Sequence, residues 1–368
     1  MTIAIILTSI TLLVLIIVYI FTKHPQFGKA PRPEQLVKIQ QSPHYKTGQF
    51  HNLEPTPQLT EGYSLISVLS QFLFKASPDG KPKKALPSLI TNLHSIPLSE
   101  DCLIWFGHSS YFLQFHQCRF LIDPVFSNNA SPLPSTNTAF KGTDIYSADD
   151  MPMIDYLLIT HDHYDHLDYK TVIKLKTKVK HVICGLGVGA HFERWGYNTN
   201  QITELDWNQN ITLSNAITLY ALPARHFSGR GFKRNNTLWL SFLLKSADFT
   251  VYLGGDSGFG QHFKSIGDQF KTIDLAILEN GQYNNAWHAI HMHPSEVLQA
   301  AKDLNAKNVI PVHSCKFKLA LHPWKEPLNL VSEKWLTDST AIALWTPIIG
   351  EIVELRNTQT FNKWWIDL

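Results

Sequence analysis

Hydrophobic and polar positions divide the chain into three stretches. The first is unbroken. Residues 1–22 carry no charge and are mostly Ile, Leu, Val, Phe, Ala and Tyr, diluted by Thr2, Thr8, Ser9 and Thr11. As a helix rising about 1.5 Å per residue, this run spans roughly 30 Å, the thickness of a bilayer's hydrocarbon core. A cleaved signal peptide would carry a positive start and small residues before its cleavage site. Here no Lys or Arg precedes the run, which ends Tyr19-Ile20-Phe21-Thr22-Lys23-His24-Pro25. The pattern predicts an uncleaved single-pass anchor. Lys23, Lys29, Arg32, Lys38 and Lys46 all follow it, and by the positive-inside tendency they place the rest of the chain in the cytoplasm.

The second stretch, 23–99, shows no sustained period. Residues 23–60 are rich in Pro, Gln and His and read as an extended linker that becomes an arm. Leu65, Leu69 and Phe72 recur at helical spacing, with Ile66, Val68, Leu73 and Phe74 beside them. That pattern fits an amphipathic helix at a membrane and a core helix equally. Residues 75–87, KASPDGKPKKALP, read as an exposed basic loop able to meet anionic headgroups.

The third stretch, 100–368, is strand-rich. CLIWFG (102–107), YFLQF (111–115), RFLID (119–123), HVIC (181–184), ITLYALP (217–223), TLWLSFLL (237–244), FTVYLGG (249–255) and DLAILE (274–279) read as short strands. IDYLLIT (154–160) is a continuous apolar run and predicts a strand buried on both faces. Helical patterns fall at 168–178, 188–196 and 294–304, the last opened by Pro294. Helices occur singly between groups of strands. The class is therefore α/β, as a sandwich rather than a doubly wound sheet.

Composition narrows the function. Of 368 residues, 32 are Lys or Arg and 30 Asp or Glu, a net charge of +2. That balance argues against a dedicated nucleic-acid binder. The four Cys have no C-x-x-C spacing, so neither a disulfide framework nor a cysteine zinc site is expected. The anomaly is histidine: there are 18, and they cluster.

The sharpest cluster is His161-Asp162-His163-Tyr164-Asp165-His166, directly after the apolar strand ending at Thr160. Five of these six residues are metal-ligand types, and a strand end can present them rigidly. His226, Asp256 and His313 each stand just past another apolar strand, so a sheet could deliver all of them to one edge. Singly, each reads more readily as an ordinary residue: His226 in a surface loop, Asp256 in a turn before Gly258, His313 as a strand-end cap.

Together these motifs resemble the metallo-β-lactamase superfamily. Gly107-His108-Ser109-Ser110, Ile122-Asp123-Pro124-Val125-Phe126-Ser127, ITHDHYDHLDY, Pro223-Ala224-Arg225-His226-Phe227, LGGDSGFG and His291-Met292-His293-Pro294-Ser295-Glu296 further resemble the phospholipase D family that hydrolyses N-acyl-phosphatidylethanolamine. The likeness covers roughly residues 100–330. It implies a four-layer αββα sandwich with two zinc ions at one sheet edge. The chain is thus expected to divide into 1–22 (anchor), 23–99 (linker and arm) and 100–368 (hydrolase domain). The likeness also implies that His161, His163 and His226 hold one metal, that Asp165, His166 and His313 hold the other, and that Asp256 bridges them. Two such ions lower the pKa of a shared water and stabilise charge in a displacement at phosphorus. The ligand set also accepts other divalent metals, such as iron or manganese. Asp123 and Asp168 are candidates to orient the imidazoles.

By the same likeness His291 stands beside the substrate phosphate and is, with Asp165, a candidate catalytic residue. His288 and His293 compete with it, and spacing does not separate the three. Tyr283 matches the family tyrosine, so Tyr283, His288 and His293 are candidate substrate contacts. Glu279 departs from the family pattern. Gly185-Leu186-Gly187-Val188-Gly189, with Glu204 and Asp206 following, imitates a dinucleotide fingerprint, but its spacing is wrong and a helix-opening turn is expected. Cys315 reads as a buried inert thiol.

The sequence thus predicts a membrane-anchored zinc phosphodiesterase that cleaves N-acylphosphatidylethanolamine to N-acylethanolamine and phosphatidic acid. Its partners are a membrane phospholipid substrate and the bilayer, with no nucleic acid; a homodimer is admitted but not required. Two other readings share the motifs: a different hydrolase of this fold, lactonase or nuclease-like, and a membrane-tethered metal-binding protein without turnover.

Overall fold

Alternation along the strands sets the architecture. In the strand Cys102–Trp105, Leu103 and Trp105 enter one apolar core, while Cys102 and Ile104 enter another. The strand Ile273–Glu279 behaves alike: Leu275 and Ile277 face the first core, Ala276 and Leu278 a third. A strand with two apolar faces needs a covering layer on each. The computed structural model describes residues 2–75, 77 and 79–368. Met1 of the expected anchor, and Ala76 and Pro78 of the 75–87 stretch, lie outside the described residues.

Among these residues two seven-stranded sheets face each other across the shared core. The first runs, in spatial order, 352–354, 102–105, 111–115, 118–122, 154–159, 179–185 and 202–205. The second runs 343–344, 306–312, 273–279, 250–253, 241–245, 218–222 and 210–212. Helices Tyr169–Leu175 and Gly189–Arg194 cover the outer face of the first sheet, contributing Val172, Leu175 and Phe192. Helices Gln261–Phe270, Pro294–Asp303 and Glu326–Thr337 cover the second, contributing Phe263, Val297 and Val331. The result is the four-layer αββα sandwich.

Thr2–Thr22 forms one apolar helix, exposed as far as Ile20. The segment after it is packed rather than extended. It forms the helix Pro33–Gln40 and a hairpin over 45–50, and it inserts Ile39 and Phe50 into the core between the sheets. The helix Leu65–Phe74 exists, capped by Ser64, and is not a core helix: Leu65, Ile66, Leu69, Phe72, Leu73 and Phe74 are all exposed.

Two local features differ from the sequence reading, and a third bears it out. The run 237–244 is a strand only from Ser241, as Ser241–Lys245. Before it the chain crosses to the other sheet, where Leu238 N–H donates to the Leu186 carbonyl and Leu240 N–H to that of Thr160. Helices Gln261–Phe270 and Glu326–Thr337 carry no expectation from the sequence. The glycine turn is satisfied internally: the amides of Gly187 and Gly189 both donate to Oε1 of Glu204 at 2.8 Å. The acidic residue that completed the apparent fingerprint thus occupies the place a phosphate would take.

Gly267 tests the outer layer. A β-carbon there would lie 1.9 Å from the Asp303 carbonyl oxygen on the neighbouring helix. Helix propensity alone favours Gly267→Ala by about 1 kcal/mol. Overpacking opposes it by about 1–3 kcal/mol. The expected net result is a lower melting temperature of the metal-free protein, and a higher one would contradict this packing.

Candidate metal centre

Every candidate ligand stands at or just beyond a strand end, on the same edge of the sandwich. His161, His163, Asp165 and His166 occupy the loop between Ile154–Ile159 and Tyr169–Leu175. His226 follows Thr218–Leu222, Asp256 follows Thr250–Leu253 and His313 follows Ala306–Val312. The structure brings all seven together, mostly buried.

They form two sets. Nδ1 of His163 lies 2.8 Å from Nε2 of His161 and 3.3 Å from Nε2 of His226. Two nitrogens bound to one zinc at about 2.1 Å cannot be more than about 4.2 Å apart, so these three fit a single ion. Asp165, His166 and His313 form the second set, joined by His108. Asp256 touches both: Oδ2 is 3.9 Å from His161, 3.8 Å from His226 and 3.1 Å from His166, and Oδ1 is 3.0 Å from His313. Nε2 of His166 and Oδ1 of Asp256 are buried without a hydrogen-bond partner among the described residues. Buried polar atoms left in this way are what a divalent cation would satisfy.

Hydrogen bonds behind the cluster set the tautomers. Nδ1–H of His226 donates to the Ile290 carbonyl at 2.9 Å, which leaves Nε2 a lone pair. Asp123 accepts from Nδ1 of His166 at 2.8 Å and from the Thr160 hydroxyl at 2.6 Å. That hydroxyl then accepts from Nδ1 of His161 at 3.0 Å. One carboxylate therefore aims two candidate ligands. Asp168 does not share this role: it caps the following helix at Lys170 N–H and accepts from Ser127 N–H.

Electrostatics favour ligation. Burial, reinforced by neighbouring imidazoles, holds His161, His226 and His313 well below the ordinary imidazole range. Burial also takes His163 down to about 4. These rings are neutral, the state a metal requires. For His166 burial is outweighed by Asp256, Asp165 and Asp123, which raise it well above that range. Burial pushes Asp256 up to about 6, against the pull of His166. In the metal-free protein His166 thus favours its protonated form.

The three competing histidines separate. Nδ1 of His291 pairs with Glu279 at 2.8 Å, and the ring lies 5.0 Å from that of His226 and 5.2 Å from that of His313. It lines an opening of about 280 Å³ over the cluster, with Leu65, Phe227, Trp287 and Ile290. His288 pairs instead with Glu296 at 2.9 Å, and His293 packs on Tyr283. Tyr283 donates to Glu326 at 2.7 Å and lines, with His293, a neighbouring groove of about 800 Å³. The structure does not bring Tyr283, His288 or His293 into the opening over the ligands, because Glu296 and Glu326 hold His288 and Tyr283 away.

Sequence reasoning missed two partners. Nε2 of His108 lies 2.9 Å from Asp165, and Glu279 is buried beneath His291. The first was visible only as part of a motif and the second only as a departure from one. Cys315 is buried, and burial pushes its thiol up to about 12.

A family model described as the beta-lactamase superfamily domain matches residues 118–314. An uncharacterized protein of Mycobacterium tuberculosis is 34% identical over 330 residues, 89% of this chain and 88% of its own. N-acyl-phosphatidylethanolamine-hydrolyzing phospholipase D 1 of Caenorhabditis elegans is 30% identical over 290 residues, 72% of this chain and 78% of its own. The solved structure of a metallo hydrolase from Ignicoccus hospitalis superposes with a TM-score of 0.53 at 19% identity, over 69% of this chain and 98% of that one. At that identity the likeness shows the fold.

Asp123→Ala should weaken metal retention about 10- to 100-fold, read by competition with a chelator. Unchanged retention would show that the imidazoles need no such support. Loading the metal-free protein at neutral pH should also release a proton from His166, whose raised pKa keeps it protonated there. Equal release from His166→Asn would contradict that assignment.

Proposed function

Because the chain belongs to the metallo-β-lactamase superfamily and is a metal-dependent hydrolase by family, we propose that it is a membrane-anchored phospholipase D that cleaves N-acylphosphatidylethanolamine. The products are N-acylethanolamine and phosphatidic acid. The residues would hold two zinc ions, one at His161, His163 and His226 and one at Asp165, His166 and His313, with Asp256 available to both. Such a pair supplies Lewis acidity at a phosphoryl oxygen and an activated water.

The observation that carries the lipid reading is a groove of about 1070 Å³. It begins at Val18 and Phe21 in the last turns of the apolar helix and reaches His163 and Asp165. Phe27, Leu133, Phe227 and Phe232 supply apolar wall; Lys23, Lys29, Lys233 and Arg234 supply positive charge. Phe232 is 88% exposed at the tip of its loop. Apolar wall for acyl chains beside cations for a phosphodiester is the chemistry of a phospholipid site. The exposed helix Leu65–Phe74 supports the same reading: Leu65 lines the opening over the ligands, and Phe72 stacks on Trp287 at 6.0 Å. On this reading Thr2–Thr22 crosses the bilayer once and the positive residues after it keep the catalytic body in the cytoplasm.

In the reaction the chain's own groups have separate tasks. Asp165 and Asp256 offset the charge of the cations. Burial holds His291 below the ordinary imidazole range and Glu279 well above the ordinary carboxyl range, so the Glu279 carboxyl donates to Nδ1 and Nε2–H of His291 is left to donate to a phosphoryl oxygen or to the leaving alcohol. Phe227, Trp287 and Ile290 exclude bulk water. The Caenorhabditis elegans relative, named for this hydrolysis, supports the choice of lipid.

The test uses the full chain in lipid nanodiscs with labelled N-acylphosphatidylethanolamine. Release of N-acylethanolamine should stop on chelation, return with zinc, and fall by at least about 100-fold in His291→Ala. Zinc-dependent turnover of other phosphodiesters or of lactones, with none of this lipid, would overturn the substrate and spare the chemistry. Bound metal with no turnover of any of them would favour a tethered metal-binding protein.

A further inference from the structure

The segment after the apolar helix is gripped by the body. Arg194 donates to the Lys23 carbonyl at 2.7 Å and also to the Gly28 carbonyl. Trp195 Nε1 donates to the Pro25 carbonyl at 2.9 Å, and Arg230 Nε to that of Gln26 at 2.8 Å. In the opposite direction, Lys29 N–H donates to Nδ1 of His191 at 3.0 Å.

That last bond places a proton. A backbone amide can only donate, so Nδ1 of His191 accepts and the ring's hydrogen sits on Nε2. Nε2–H then donates to Oδ2 of Asp162 at 3.1 Å. Asp162 is the residue between His161 and His163, and it is 2% exposed. Its carboxylate also accepts from Gly229 N–H at 2.7 Å and from the Thr237 hydroxyl at 2.9 Å. Its carbonyl accepts from Arg230 at 2.7 Å. The backbone that carries two candidate ligands is thus held through Asp162, and the strap 23–29 is hydrogen-bonded to two of the four residues that hold it, His191 and Arg230.

Gly28 permits the close approach. Its φ is +69°, and a β-carbon there would stand 2.2 Å from Nδ1 of His191.

We propose that this strap is a working part of the metal loop, with His191 as a positioning residue. Lys29 N–H orients His191, His191 orients Asp162, and Asp162 holds the turn that aims His161 and His163. The proposal goes beyond the phospholipase reading and rests only on that loop holding a metal.

The experiment measures zinc retention by the full-length protein in detergent against a competing chelator, beside the melting temperature of the metal-free form. Gly28→Ala displaces the strap from its own side and His191→Ala cuts the link from the body's side. Each should lose zinc about tenfold more readily than the unmodified protein. His191→Gln, which keeps a donor for Asp162, should recover most of what His191→Ala loses. Should Gly28→Ala not fold, Arg194→Ala replaces it, since it removes the donor from two strap carbonyls. Unmodified zinc retention in either strap-loosening variant, even with a lowered melting temperature, would overturn the proposal and leave His191 a merely structural residue. An unmodified protein that takes up no divalent metal would instead fail the metal reading itself.

Discussion

A buried carboxylate is costly unless each oxygen finds donors. Asp123, 1% exposed at the end of its strand, finds three: the Thr160 amide, the Thr160 hydroxyl and the His166 ring. Those three bonds pin the strand 118–122 to the first residues of the neighbouring loop. They also decide which nitrogen of His166 faces inward and, through Thr160, which nitrogen of His161 does. The site is built outward from this group. Ser110 holds the Asp123 carbonyl, His108 holds Asp165 and Glu279 holds His291.

What was legible in the sequence is what strand periodicity encodes. Apolar runs ending in His or Asp announced a sheet edge, and facing sheets delivered those residues to one place. What was not legible needed the third dimension. His108 reads as a turn residue until the strand after it is paired. Glu279 reads as an intruder until His291, 12 residues later, folds over it. Residues 237–240 look like a strand, and only their bonds to Leu186 and Thr160 show that they cross between sheets. The helix Gln261–Phe270 carries Gly267 in its interior, which lowers its helical signal; the glycine is there because the Asp303 carbonyl leaves no room for a side chain. Histidines 288, 291 and 293 could not be ranked by spacing, because the ranking is made by Glu296 and Glu279, one ahead of them and one behind.

The stretch before the sandwich also changed in meaning. Its Pro- and Gln-rich composition suggested an extended linker that becomes an arm. Instead it places Ile39 and Phe50 in the main core and lends Leu65 to the opening over the ligands. Composition reports how much apolar surface a segment carries, not where that surface is used. An arm with few apolar residues can still be committed to the body where single ones are buried, as Ile39 and Phe50 are.

That commitment removes slack. A flexible tether lets an enclosed volume be searched, with an effective concentration set by its length. A chain whose backbone is held from Lys23 onward has almost no such length. On the proposed reading the body stands on its helix like a mast stepped into a deck: it cannot swing to a distant lipid or bend toward another membrane. Its supply is whatever diffuses laterally to its foot, so throughput would follow the fluidity and composition of the surrounding leaflet rather than the reach of the protein.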